Sequence, residues 1–266
     1  MAKRTLLDLR NRKGEPQLTM VHVTSAAQAV AAEAAGIDIL CGPFLPETRQ
    51  IPAAAPNTNY RFGLKYGHYT TAEQCLKSAF DAVECGADIV YTPQSMAFVE
   101  AMAQQGIAVC GHVGLVPPKA SWTGGFRAVG KTAEQALMLF QQIKDLENAG
   151  AFAVELEVVP DRVATEIARR SSLMTISMGA GNGCDAQYLF SSDLLGETGE
   201  RVPRHAKVYR NFKTEYDRLH QERIAAYREF AEDVRTGAFP GPKNVVGISD
   251  EEYEKILDGL EKFNPA

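Results

Sequence analysis

The sequence predicts an α/β protein: a (β/α)8 (TIM) barrel spanning residues 1–266 as one domain, with a helical extension at its C-terminal end. Three observations carry that expectation. An alanine-rich helix running into a glycine, with a short apolar strand directly after it, recurs along the chain. Polar residues gather just after most of these strands, where barrel enzymes place their chemistry. No glycine-rich dinucleotide fingerprint follows the first strand, which argues against an open doubly wound sheet. The length of 266 residues suits a single barrel.

Taken in order, Gln17–Val23 reads as the opening strand. The repeated unit then appears as AAEAAGIDILCG around Gly36, AVECGADIVY around Gly86, AMAQQGIAVCGHV around Gly106 and LENAGAFAVELE around Gly150. In each, the period changes from helical to extended at the glycine, as at a helix C-cap feeding a buried parallel strand. Leu173–Met178 makes the sixth strand, and Arg61–Lys65 and Leu189–Leu194 are two further candidates. Residues 42–60, rich in Pro, Ala and Asn, read as a long connection between the second and third strands, without a full helix. Residues 204–235 space Tyr209, Phe212, Tyr216, Leu219, Arg223 and Tyr227 at threes and fours, which predicts a final helical layer. Residues 250–263 predict one more amphipathic helix, packed on a neighbouring subunit.

Composition narrows the function classes. The chain is 45% hydrophobic and 23% charged, with a net charge of −5 and interspersed signs. It has no basic stripe to follow a phosphate backbone, so no nucleic-acid partner is expected. No apolar run approaches the ~20 residues that span a bilayer, so no membrane partner is expected either. The N-terminus leads into a charged stretch rather than an apolar signal core. Five scattered cysteines without a CxxC pair suggest neither a zinc knuckle nor a disulfide frame, which points to a reducing cytoplasm.

Four segments can carry chemistry. In Cys110-Gly111-His112-Val113-Gly114 a histidine ends an apolar strand between two glycines; it either caps the strand or serves as proton carrier or ligand. Trp122–Lys131 reads as a loop over the barrel mouth or a plain surface turn. Glu155 and Glu157 stand two apart on a strand, so both carboxylates face the same way, and the expected direction is into the barrel. Unpaired charge is costly there, so a partner is expected. Two close carboxylates suit a general base or shared metal ligation; Glu155 can equally be structural. In Met178–Gln187, Gly179 and Gly181 would let backbone N–H groups approach an anion.

Together, in this order, the segments Gly111–Pro117, Gly124–Lys131, Glu157–Pro160 and Gly179–Gln187 resemble the ketopantoate (3-methyl-2-oxobutanoate) hydroxymethyltransferase family. Residues 234–240 add to the likeness, which is fainter before Gly106. The resemblance implies a barrel of the phosphoenolpyruvate/pyruvate-like superfamily, assembled as a homo-oligomer (a decamer in that family). It implies a small 2-oxo acid substrate, methylenetetrahydrofolate as one-carbon donor, and a divalent metal, Mg²⁺, on two aspartates that stabilises the enolate. By position Glu157 matches the proton-removing glutamate and His112 the histidine near the substrate.

The chain departs from the family pattern in three places. Leu40-Cys41-Gly42-Pro43-Phe44 stands where the family has V-G-D-S, and Phe62-Gly63-Leu64-Lys65-Tyr66 where it has A-D-L-P-F. Tyr91-Thr92-Pro93-Gln94 replaces K-x-E-G-G. Charge stabilisation would then fall to Lys65, His68, His22 or Tyr91, or to a softer metal among Glu155, Glu157, His112 and either His22 or His68. Three functions remain open: a divergent enzyme on another 2-oxo acid, a hydroxymethyltransferase with rebuilt ligation, and a non-catalytic barrel binding a ligand or partner subunit.

Overall fold

In a computed structural model of the chain, residues 3–199 and 202–263 are described. Eight parallel strands close on themselves in sequence order, with the last strand pairing the first. They are β1 Leu18–His22, β2 Ile39–Pro43, β3 Asn59–Gly63, β4 Ile89–Tyr91, β5 Val109–Gly114, β6 Ala153–Glu157, β7 Met174–Met178 and β8 Ala186–Phe190. The helices of this part are α1 Leu6–Arg10, α2 Ala26–Ala34, α3 Ile51–Ala54, α4 Ala72–Glu84, α5 Met96–Ala103, α6 Ala133–Asn148, α7 Asp161–Arg170 and α8 Ser191–Leu195. The expected (β/α)8 barrel is therefore the fold.

The punctuation is local chemistry. Gly36, Gly86, Gly106 and Gly150 all sit at positive φ, between +78° and +97°, in the left-handed turn that ends each preceding helix. Three helices begin with the same device: Ser25, Thr71 and Thr132 accept the backbone N–H of Gln28, Gln74 and Gln135. Each glutamine side chain in turn accepts an N–H from the residue before the cap, which satisfies otherwise orphaned helix-start donors.

Period-2 alternation divides the strands' side chains. Met20, Ile39, Cys41, Ile89, Cys110, Ile176 and Tyr188 form one buried cluster inside the barrel, which Leu9 of α1 joins. Their neighbours Val21, Leu40, Phe62, Val90 and Val154 pack with the helices in a second cluster. At the N-terminal rim, Asp38, Asp88 and Asp185 stand at or just before the starts of β2, β4 and β8. Each accepts a backbone N–H near the start of an adjacent strand, from Thr19, Tyr60 and Thr175. Arg4, Lys3 and Lys13 pair with these same three aspartates, so the basic N-terminal segment closes that rim.

Some elements differ from expectation. β8 lies three to four residues before the expected 189–194; Ser191–Leu195 is helical, because Ser192 and Asp193 favour a helix start over a ladder. The connection between β2 and β3 carries a 3-10 turn at Pro46–Thr48 and the short α3, where proline in the first helical turn is tolerated.

Chain contacts divide the molecule into two compact units, 1–211 and Phe212–Ala266. In the second, α9 spans Phe212–Thr236 and α10 Asp250–Glu261, and neither helix buries a side chain. The expected helix from 204 begins only at Phe212. None of the described helices is long and apolar enough to cross a membrane.

Candidate active site

A cavity of about 500 Å³ opens at the C-terminal ends of the strands, lined by His22, Arg61, Tyr91, His112, Glu155 and Glu157 among others. This is the face on which barrels carry catalytic groups. A larger groove of about 1250 Å³ lies outside the barrel between α6 and α7. Its Glu166 and Arg170 pair with each other, and Lys131, Asp161 and Arg162 also line it.

The strand period brings both glutamates inward, and register fixes their neighbours: His112 stands beside Glu155, and Gly114 beside Glu157. Gly114 has φ +91°, and a Cβ there would lie 2.3 Å from the Glu157 carbonyl oxygen, so only glycine allows β5 to run this close to β6. Immediately after Glu157, Val158 holds φ +49°, a strained conformation for a β-branched residue. Two backbone bonds keep it there: its N–H donates to Met178 and its carbonyl accepts from Val129.

His112 lies between the carboxylates. Its Nε2 is 2.7 Å from the Leu115 carbonyl and 3.3 Å from Glu157 Oε2. Its Nδ1 is 2.7 Å from Tyr91 Oη and 3.3 Å from Glu155 Oε2. Burial by itself would favour the neutral ring, but hydrogen bonds to Glu155 and Glu157 outweigh it and push the pKa up to about 9. The two carboxylates thus favour the imidazolium, in which both ring nitrogens can donate.

Glu155 has a second cation. Arg61 reaches across the lumen from β3 and sets Nη2 2.5 Å from Glu155 Oε1, both side chains 5% exposed or less. The contact is Coulombic more than an aligned hydrogen bond, since Oε1 accepts none. Burial raises the Glu155 pKa, but Arg61 and then His112 reverse this and bring it to about 2. The Arg61 guanidinium lies 4.8 Å from the Tyr91 ring and 5.4 Å from the Tyr188 ring, favourable cation–π distances. Nη1 donates to Cys110 Sγ at 3.4 Å, and Nε has no partner.

The structure brings Glu155, Glu157, His112, Tyr91 and His22 together and leaves Lys65 at the rim of the same cavity. His22 stacks on Phe190 at 4.5 Å between ring centroids; burial and the Arg61 charge lower its pKa to about 4, so it stays neutral. His68 is exposed on the loop after β3 and does not line the cavity. Gly179 and Gly181 do not line it either. Their loop folds onto the start of α7, where a Cβ on Gly181 would meet Asp161, and Ser177 Oγ donates to the Gly181 carbonyl. Of the glycine-rich loop region only the preceding Pro117 and Pro118 touch the cavity, while Trp122 and Phe126 are 90% and 77% exposed. Arg61 was not anticipated. Its signal was a single charge between Tyr60 and Phe62 in an apolar strand, the partner that a buried Glu155 requires.

Residues 20–242 match the family described as Ketopantoate hydroxymethyltransferase. The chain belongs to that family. It is 35% identical to the 3-methyl-2-oxobutanoate hydroxymethyltransferase of Thermus thermophilus, over 91% of this chain and 99% of the relative. It is 30% identical to 3-methyl-2-oxobutanoate hydroxymethyltransferase 1 of Methylibium petroleiphilum, over 98% and 95%. Among solved structures, a putative phosphonomutase from Burkholderia cenocepacia aligns with a TM-score of 0.56 at 15% identity, covering 68% of this chain and 88% of that one. A phosphonopyruvate hydrolase aligns at 0.53 and 13%, covering 97% and 99%. These two show the shared barrel.

The donor set of this ketopantoate hydroxymethyltransferase family member can be compared with the Mg²⁺ that the resemblance implies. The strand ends that would supply aspartates carry Gly42-Pro43 and Gly63-Leu64. Both cavity carboxylates are already engaged by Arg61 and His112. Among the described residues no three or more His, Cys, Asp or Glu side chains are grouped to hold a metal. Mg²⁺ is held by one or two protein carboxylates, with water or substrate completing its oxygens; with no aspartate at either strand end and both cavity carboxylates facing cations, these residues do not fit it. The softer set built on Glu155 and His22 is not assembled either: no group of three such ligands is found among the described residues, and His68 does not line the cavity.

Proposed function

We propose that this chain enolises a small 2-oxo acid in the barrel-mouth cavity, with the carboxylate of Glu157 taking the proton from the carbon next to the keto group. The observation that carries this reading is Glu157 itself: 8% exposed, at the end of β6, facing the cavity and bound to an imidazolium rather than free to turn away. A base must sit within hydrogen-bond reach of the carbon acid, and a strained, doubly tethered backbone holds it there. His112 positions Glu157. With both ring nitrogens 2.7 Å from protein oxygens, it is not a free base.

The step is simple in its balance. The C–H bond breaks, the proton passes to Glu157, and the electron pair moves to the keto oxygen as an enolate, the nucleophile for carbon–carbon bond formation. The replaced residues at the ends of β2, β3 and β4 support a substrate other than the family's own. The identity to named 3-methyl-2-oxobutanoate hydroxymethyltransferases over nearly the whole chain favours a second reading, in which methylenetetrahydrofolate remains the one-carbon donor.

Solvent deuterium exchange into 2-oxo acids, followed by proton NMR, tests the first reading. Wild type exchanges the proton, and Glu157→Gln slows exchange by roughly 100-fold or more, the scale of a lost general base, with its fold intact. Exchange by Glu157→Gln at the wild-type rate removes Glu157 as the base. Consumption of methylenetetrahydrofolate with 3-methyl-2-oxobutanoate selects the second reading.

A further inference from the structure

Enolisation creates one negative charge on the keto oxygen, beside a carboxylate that is already negative. Something in the cavity must answer that charge, or the enolate does not form at neutral pH. The donor set here does not fit a dication. The cation built into the site is a side chain.

Arg61 has the features of such a group. It arises from β3 and spans the lumen to the opposite side of the barrel, ending in the same cavity wall as Glu155, Tyr91 and His112. Its position is fixed from several directions: Glu155 at Nη2, Cys110 at Nη1, and tyrosine rings at 4.8 and 5.4 Å. Its Nε is buried and has no partner, so it is as a charged group lining the cavity, and not through Nε, that Arg61 meets a ligand. The lining also has a sign. Arg61, Lys65 and His112 face Glu155 and Glu157, three cationic side chains against two carboxylates, so the empty cavity is one charge short of neutral and a monocarboxylate completes it.

We propose that the Arg61 guanidinium, in place of a divalent cation, binds the oxyanion of a monoanionic 2-oxo acid and of its enolate, so that this chain needs no metal for the step. The inference rests on the enolisation reading for its substrate class. Glu155 is then the counter-ion that holds Arg61 in register, and the proton removed by Glu157 is balanced across the site without any change in metal ligation.

Oxalate, a planar dianion shaped like the enolate of a 2-oxo acid, is the probe. Its binding to the full chain is measured calorimetrically, after dialysis against EDTA and again with added Mg²⁺. The expected result is binding that changes by less than about twofold between the two conditions, and that Arg61→Lys weakens by roughly tenfold or more. Lysine keeps the charge opposite Glu155 but lacks the fork of donors. Should Arg61→Lys not fold, the double variant Arg61→Met/Glu155→Gln removes the ion pair as a unit, which buried pairs tolerate, and binding should be lost. Oxalate that binds only with Mg²⁺, does not bind wild type at all, or binds the Arg61 variants as tightly as wild type overturns the proposal. Deuterium exchange separates the two ideas. Metal-independent, Arg61-dependent oxalate binding without exchange refutes enolisation alone, whereas exchange that requires added Mg²⁺ refutes the role of Arg61 alone.

Discussion

Replacing Glu155 by glutamine leaves Arg61 buried without its counter-ion, and the consequence can be worked from the structure. Both side chains are 5% exposed or less, and the contact is 2.5 Å. Removing one partner of a buried pair costs about 3–5 kcal/mol. For a chain of this size that lowers the melting temperature by roughly 6 to 20 °C. The pH dependence should change as well. In the wild type His112 is raised from 6.5 to about 9, so its contribution is fully present below pH 6.5 and disappears as pH rises through 9. At 1.36 kcal/mol per unit that is about 3 kcal/mol. Glu155, lowered from 4.5 to about 2, contributes above pH 4.5 and loses that contribution as pH falls toward 2. The Glu155 shift comes first from Arg61 and then from His112, so only its His112 part repeats the ~3 kcal/mol already counted for the histidine. Hydrogen bonding to Glu155 is the first of the influences that raise His112. In Glu155→Gln the alkaline loss between pH 6.5 and 9 should therefore flatten. Urea unfolding followed by circular dichroism from pH 5 to 10 measures both effects. A cost below about 1 kcal/mol, or an alkaline slope equal to that of wild type, would refute the account of a buried, coupled Arg61–Glu155–His112 network.

Two further outcomes follow from the geometry around Glu157, and a third from a residue outside the cavity. Val158→Gly relieves a backbone held at φ +49° and should leave stability unchanged or raise it by up to ~2 kcal/mol in thermal unfolding; a loss would show that the valine side chain matters more than the strain. Gly114→Ala sets a Cβ 2.3 Å from the Glu157 carbonyl at positive φ. It should cost about 2–4 kcal/mol and slow deuterium exchange, and a variant with normal melting and exchange would contradict the close approach of β5 and β6. His68→Ala should exchange within about twofold of wild type, the range of a surface substitution, because His68 is exposed and does not line the cavity.

The elements legible in the sequence are those written in local chemistry. Glycines at 36, 86, 106 and 150 marked helix ends because only glycine enters the left-handed region without cost. The spacing of Glu155 and Glu157 put both carboxylates on one face because a strand repeats every two residues. The order of four motifs led to the ketopantoate hydroxymethyltransferase family. Where local signals were weak or mixed, the reading slipped or stayed open: β8 was displaced toward residues that cap a helix, and Trp122–Lys131 stood between a loop over the mouth and a surface turn because glycine permits many shapes and specifies none.

Tertiary structure decided which side chains meet. Arg61 and Glu155 lie on strands separated by three helices, and nothing in either segment names the other; closure of the barrel brings them to opposite walls of one lumen. That closure turned His112 from a free imidazole into an imidazolium held between two carboxylates, kept His22 neutral beside a guanidinium, and left His68 in solvent. Residue type and period follow from short-range sterics, so the sequence alone determined the barrel and the inward carboxylates. Charge state and partnership depend on burial and on distances across the fold, which only the assembled barrel supplies.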